Sequence, residues 1–226
     1  MPGPIRNAAK TRAKILKHAT AEFALRGFDG ARVDGIAARS RVNKHMLYHY
    51  FGSKEQLFIA VLEAMYGSIR EGQKDMALLD LPPVVAMRTL VAQTYGVILA
   101  HPEFIGLLSS ENLMKARHIR ASATIREMYD PLMAALRTVL ERGAERGEFR
   151  PDIDPVELYI SIGALSFHSL SNQHTLKAIF NVDLISPAAV SRRLEHITDM
   201  VMCYCAAGSV GAASQSADER VQAISN

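Results

Sequence analysis

Residues 32–51, RVDGIAARSRVNKHMLYHYF, carry two short helical periods separated by a tight turn. Ile36 and Ala37 from the first period, Val42 from the turn, and Leu47 and Tyr50 from the second fall on one inward side and hold the angle between the helices. Asn43 stands where an N-cap is needed, its side-chain oxygen able to accept from the free amides of the first turn. That leaves Lys44, His45, Met46, Tyr48 and His49 on the outside of the second helix. A cation, two imidazoles and a phenol on one exposed helical face can meet both phosphates and base edges in a major groove.

The charge around this pair is lopsided. Residues 1–54 hold eleven Lys and Arg against Glu22, Asp29 and Asp34, a balance of +8, so a chain whose total is +3 has a remainder at −5. A basic first quarter on an acidic remainder suits a polyanion-binding head on a body that must not bind polyanion, although a solvated basic surface has the same charge. With 49% apolar and 22% charged residues, the 226-residue chain can bury a sizeable core as one compact unit or two small ones. The first residues carry no apolar signal region, and no stretch reaches the roughly 18 uninterrupted apolar residues that span a bilayer. A cytoplasmic protein with no membrane partner is expected. Cys203 and Cys205 cannot easily pair with each other and read as small apolar side chains, a redox or metal role being the lesser alternative.

Outward from the central pair the helical period continues, while alternating β-branched runs do not occur, so the fold class is all-α, with nine helices expected. The first covers residues 8–26, with Ile15, Leu16, Ala19 and Phe23 on one side and Gly27 suited to the left-handed position past its end. Helices at 33–40 and 44–50 follow. Ser53-Lys-Glu-Gln56 has capping-box form and opens a fourth helix through Leu57, Val61, Met65 and Ile69. Pro82-Pro83 starts a fifth that stops at His101, before Pro102; a sixth covers 104–117; a seventh covers 119–146 with a kink or break at Pro131. The eighth covers 155–178 and the ninth begins at Pro187. From residue 207 the chain is rich in Gly, Ser and Ala without periodicity and is expected to be disordered. The domains are then a helix-turn-helix head with a flexible N-terminal arm over 1–53, a body over 54–206, and a tail over 207–226.

Helices eight and nine are apolar on two sides. In the eighth, Leu158, Ile162, Leu165 and Ser169 form one stripe and Ile160, Gly163, Phe167 and Leu170 another; in the ninth, Val190, Leu194, Ile197, Val201 and Tyr204 recur at the same spacing. Either both stripes are buried within one chain, or one side packs on the same helices of a second copy. The economical reading is a homodimer with an isologous four-helix interface built from Ile160, Gly163, Phe167, Leu170, Val190, Leu194, Ile197, Val201 and Tyr204.

The stretch from Lys10 to Leu62, with ILKHATAEFALRGF and then VDGIAARSRVNKHMLYHYFGSKEQLF, closely resembles the N-terminal domain of TetR-type repressors. The shared pattern is a helix ending in Gly-Phe, an Ile-Ala pair, a Val before the recognition helix, and Leu-Tyr-x-Tyr-Phe-x-x-Lys. The resemblance implies a three-helix DNA-binding domain in which Tyr48 and Lys54 touch phosphates and the residues from Lys44 to His49 approach bases. Free amides at the helix starts near Asn43 and Lys54 would add to phosphate binding. Three residues depart from the family pattern. Arg41 stands where Gly is usual, and a left-handed conformation there would cost about 1 kcal/mol. Arg32 replaces the Ser or Thr that commonly caps the second helix, exchanging a cap for a phosphate contact. Met46 replaces a small polar residue, exchanging a phosphate hydrogen bond for an apolar contact such as a thymine methyl.

For the body, the resemblance implies that helices four to seven enclose a cavity for a small effector, with the eighth as a wall. Residues 147–176, GEFRPDIDPVELYISIGALSFHSLSNQHTL, resemble a C-terminal segment of some of these regulators. Candidate lining residues are Met65, Tyr66, Ile69, Tyr95, Leu99, Phe104, Leu108, Leu113, Met128, Leu132, Leu165 and His168, each of which is plain core if no cavity exists. Their character suggests a hydrophobic or aromatic effector. The expected function is a regulator, most simply a repressor, that holds a palindromic double-stranded operator as a homodimer and is released when an effector changes the angle of helix four. The alternatives are a constitutive DNA-binding regulator and a helical enzyme. No nucleophile elbow or phosphate-cradling glycine loop supports the latter. His45 and His49 have a metal-ligand spacing, but no carboxylate or Cys completes the set, and neither metal nor cofactor is expected.

Overall fold

Long apolar periods in this chain become helices that bury one face and break where a proline or a left-handed residue interrupts the ladder. The structure, a computed structural model, describes residues 4–74 and 77–208. Among these it has α1 (Pro4–Gly30), α2 (Val33–Ser40), α3 (Lys44–Phe51), α4 (Lys54–Lys74), α5 (Pro83–Ala100), α6 (Pro102–Leu113), α7 (Arg117–Ala121), α8 (Ala123–Glu127), α9 (Asp130–Glu145), α10 (Pro155–Ser171), α11 (Gln173–Phe180) and α12 (Pro187–Cys205). The described residues form no strand, only an isolated antiparallel bridge between Phe149 and Ala206. Of the tail expected to be disordered, only Ala207 and Gly208 are described.

The all-α class stands, but the expected nine helices are twelve. The first begins at Pro4, and at Gly27 its backbone leaves helical geometry, with φ 67° and ψ 179°, so that a further turn up to Gly30 follows across a kink. The sixth stops at Leu113, short of residue 117, because Lys115 and Ala116 both take φ of 56°. The seventh is three helices. Ser122 breaks the first from the second and caps the latter, its Oγ accepting the Ile125 N–H at 3.3 Å. Pro131 lies in the first turn of α9, where its missing N–H is harmless. The eighth breaks at Asn172, after which α11 runs separately.

Two apolar cores result. The first joins Ile15, Ala19 and Phe23 of α1, Ile36 of α2, Leu47 of α3 and Leu57, Phe58, Val61 and Leu62 of α4, and it reaches Phe104 and Leu107 of α6. The second joins α5, α9, α10 and α12 around Leu90, Tyr95, Leu136, Ile162, Ile197 and Val201. By length and composition α5 is apolar enough to cross a membrane, but Ala86, Met87, Leu90, Val91 and Tyr95 are buried in this second core. Leu170, Ile197 and Val201, expected at a dimer interface, are at most 3% exposed and belong to the core of the single chain. The reason is that α10 packs on α5, α9 and α12 together, so more than one of its faces is consumed internally. Cys203 is exposed; Cys205 is buried, and burial pushes its thiol up to about 11 despite the nearby Arg150 charge.

Head and body share α6. A Cβ on Gly106 would lie 2.2 Å from the Ala24 carbonyl oxygen of α1, so only glycine permits the helices to approach this closely. Four residues on, Ser110 Oγ accepts the Phe28 N–H at 3.0 Å. Glu111, 1% exposed, accepts from the backbone N–H groups of His118 (2.7 Å) and Ile119 (3.0 Å) and pairs with His118 Nδ1 at 2.8 Å. The buried His118 ring rests against Phe28 and Phe58, with centroids 4.6 and 4.8 Å away.

Candidate functional site

In the head, local capping sets the aim of α3. Asn43 Oδ1 accepts the Met46 N–H at 2.6 Å, while Leu47 and Phe51 anchor the helix in the core. Lys44, His45, Met46 and His49 are exposed and Tyr48 is half-buried. Tyr50, expected to face inward, packs half-buried against the same core, and Phe51 beside it is buried. Arg41 is left-handed (φ 54°, ψ 42°), its N–H donating to the Ala38 carbonyl at 3.0 Å, so the turn carries the strain of a side chain in glycine geometry.

Arg32 heads α2 without a side-chain cap, and its own N–H donates to Glu22 Oε1 at 3.1 Å. Glu22 is buried, accepts from the Arg39 guanidinium as well, and pairs with Arg26 at 3.3 Å. Burial pushes this carboxyl up, but the Arg32 amide and the Arg39 and Arg26 cations together hold it below its ordinary value. Lys44 Nζ lies 3.0 Å from Asp34 on α2, a contact that raises its pKa and ties the start of α3 to α2. Lys54 Nζ donates to the Asp29 carbonyl at 3.3 Å and sits 5.0 Å from the Phe28 ring centroid, tying the start of α4 to the end of α1. Arg32 and Arg41 are exposed and Lys54 partly so. The described residues contain no cluster of three or more His, Cys, Asp or Glu able to hold a metal ion.

In the body, a cavity of about 400 Å³ lies between α4, α5, α6 and α10. Of the residues expected to line it, Tyr66, Ile69, Phe104 and Leu108 do so. The others lie elsewhere. Met65 borders a groove beside α1, and Met128 and Leu132 border a cleft that shares Arg70 with the cavity. On α5 the cavity side is Thr94, Val97 and Ile98, which turns Tyr95 into the core and leaves Leu99 37% exposed. Leu113, at the end of α6, is 86% exposed; Leu165 packs half-buried on the body core; His168 borders a small surface cleft with Phe180. Three residues assigned to the dimer stripe, Ile160, Gly163 and Phe167, line the cavity, because α10 turns that stripe toward α4 and α6. Ile160 and Tyr204 are nevertheless 56% and 45% exposed, while Val190 and Leu194 are half-buried.

Arg70, Tyr129 and Tyr159 are cavity residues that the helical periods did not single out. Tyr66 and Arg70 are four apart on α4 and so share a face, which is the signal the sequence offered. Burial pushes the Tyr66 phenol up to about 12, with the Glu111 carboxylate and the neighbouring Tyr159 phenol adding to it; burial and Tyr159 push Tyr129 higher still. Both are neutral phenols.

A capped recognition helix on a basic three-helix head, joined through α4 and α6 to a helical body with a cavity, defines a helix-turn-helix regulator of transcription. Residues 15–61 match the family described as bacterial regulatory proteins of the tetR family, and residues 83–201 match the tetracyclin repressor-like C-terminal domain. The chain is 37% identical over 195 residues to the HTH-type transcriptional repressor NicS of Pseudomonas putida, covering 86% of this chain and 92% of that one. It is 34% identical over 139 residues to the HTH-type transcriptional repressor SCO4008 of Streptomyces coelicolor, covering 61% and 69% respectively. The ketosteroid transcriptional regulator KstR2 of Mycobacterium tuberculosis shares the fold, with a TM-score of 0.63 at 21% identity over 86% of this chain and 94% of that one. The chain belongs to the TetR family and is a DNA-binding transcriptional repressor.

Proposed function

We propose that this repressor grips a palindromic operator as a homodimer and is released when a small, largely hydrophobic or aromatic effector enters the body cavity. The observation that carries this is that α4 and α6 each belong to both parts. Helix α4 has Lys54 at its head end and Tyr66, Ile69 and Arg70 at the cavity, about 24 Å apart at 1.5 Å per residue. Helix α6 sets Gly106 and Ser110 on α1 while Phe104, Leu108 and Asn112 line the cavity. A ligand that shifts either helix therefore tilts the head.

On DNA, Lys44, His45, Met46 and His49 approach base edges, Asn43 and Tyr48 seat the helix on the backbone, and Arg32, Arg41 and Lys54 meet phosphates. Two copies must present α3 to successive major grooves, roughly 34 Å apart, so a small change in head angle disturbs both. Exposed Ile160, Met200 and Tyr204 on α10 and α12 favour a second copy as the body's partner. A coupling of about 1–3 kcal/mol would lower operator affinity about 5- to 150-fold. A constitutive regulator without effector is disfavoured by the 400 Å³ cavity, which falls within the size of ligand sites, about 300–1,000 Å³.

Selection of bound fragments from random duplex DNA tests the reading. An inverted repeat is expected, with affinity lowered about tenfold or more by alanine at Lys44, Tyr48 and Lys54 together. A protein monomeric at working concentration, or affinity indifferent to those substitutions, would count against it.

A further inference from the structure

We propose that the body cavity binds a planar, mainly apolar organic acid whose carboxylate is seated on the Arg70 guanidinium. This rests on the effector-responsive reading above and adds the chemistry of the ligand.

Arg70 is 6% exposed, and its guanidinium cannot shed its charge, so burial there calls for an anionic partner. The described residues supply only neutral ones. Nη2 donates to the Tyr159 hydroxyl at 2.9 Å, and the guanidinium carbon lies 4.2 and 5.9 Å from the Tyr129 and Tyr159 ring centroids. Nε and Nη1 are buried without a hydrogen-bond partner, and no carboxylate among the described residues pairs with the group. Whichever hydrogen of Nη2 the Tyr159 hydroxyl takes, the other forms a two-pronged edge with Nε or Nη1, the geometry that fits a carboxylate.

The rest of the wall limits what that anion is attached to. Ile69, Val97, Ile98, Phe104, Leu108 and Phe167 present apolar or aromatic surface. Thr94 Oγ1, a second buried polar atom without a partner, offers one further hydrogen bond. A cationic ligand would be repelled by Arg70, and a neutral hydrocarbon would leave it unpaired. A ring between Phe104 and Phe167 with its carboxylate toward Arg70 satisfies both the apolar wall and the charge. The volume of about 400 Å³ is near the lower end of ligand sites, which fits an acid of one or two rings.

The test is calorimetric titration of the full chain with benzoate and naphthoate, each beside its neutral amide, with operator affinity followed in parallel by fluorescence anisotropy. At least one acid is expected to bind about tenfold or more tightly than its amide. Arg70→Met should abolish that preference while leaving the ligand-free Tm equal or higher, since it removes a lone buried charge; a purely structural arginine would lower it. Should that variant fail to fold, the acid-against-amide comparison on the unaltered chain decides alone. Amides binding as tightly as acids, none of the acids binding, or Arg70→Met keeping the preference overturns the proposal. Acids that bind selectively yet leave operator affinity unchanged would sink the effector reading while leaving the anion site standing. Release of the operator by a neutral ligand, with no acid bound, would do the reverse.

Discussion

Glu22 and Arg41 show how single residues hold the reading head. Glu22 does what the absent cap at Arg32 cannot, accepting the Arg32 amide at 3.1 Å while drawing in Arg39 and Arg26. Because its folded pKa is depressed, its contribution is complete above the ordinary value of 4.5 and is lost as pH falls through the lower folded value. Calorimetry across acid pH should therefore show stability declining below about pH 4.5. Glu22→Gln should cost about 1–3 kcal/mol near neutrality and flatten that acid limb; an unchanged limb would contradict the role. Arg41→Gly should relieve the left-handed strain and raise urea stability by about 0.5–1 kcal/mol. If Arg41 also meets a phosphate, the same variant lowers the slope of operator affinity against salt by about 1. The exposed face of α3 was legible because a cap, a turn and an eight-residue helix depend on neighbours close in sequence. The identity of Arg70 as a cavity residue was not, because only the fold brings Tyr159 to it.

Among the elements, α6 is the joint, and its glycine is the sharpest test of it. Gly106→Ala places a methyl where the Ala24 carbonyl already stands, so it should destabilise the chain by about 1–3 kcal/mol in denaturant melts and weaken operator binding with it. Near-neutral stability would mean that α1 and α6 do not approach so closely. The periods announced α1 to α4 within a few residues, and the prolines at 82, 83 and 102 bounded the more uniformly apolar α5. They failed between residues 114 and 130, where Lys115 and Ala116 turn left-handed and Ser122 restarts the helix, events that a Gly or Pro does not mark. They also failed on α5, where a step from Ile98 to Leu99 is about 100° of rotation and separates a cavity wall from the surface.

At the scale of the whole molecule, charge predicts a basic head on an acidic body, whereas the first apolar core runs from α1, α2 and α3 along α4 to Tyr66, Ile69 and Phe104 beside the cavity, and the second joins α5, α9, α10 and α12. What escaped was how α10 divides its faces, with Leu170 in the core, Phe167 on the cavity and Ile160 exposed, because that depends on three helices packing on it at once. If exposed Met200 lies in the contact between copies, Met200→Glu should shift sedimentation from dimer toward monomer and lower operator affinity in step, whereas an unaltered dimer would place the interface elsewhere. The most direct measurement of the two-headed grip is hydroxyl-radical footprinting on the selected operator. Two protected windows on one face of the duplex, about 10–10.5 base pairs apart centre to centre and lost together on alanine substitution of Lys44, Tyr48 and Lys54, are expected. A single window, or protection that survives those substitutions, would contradict the account.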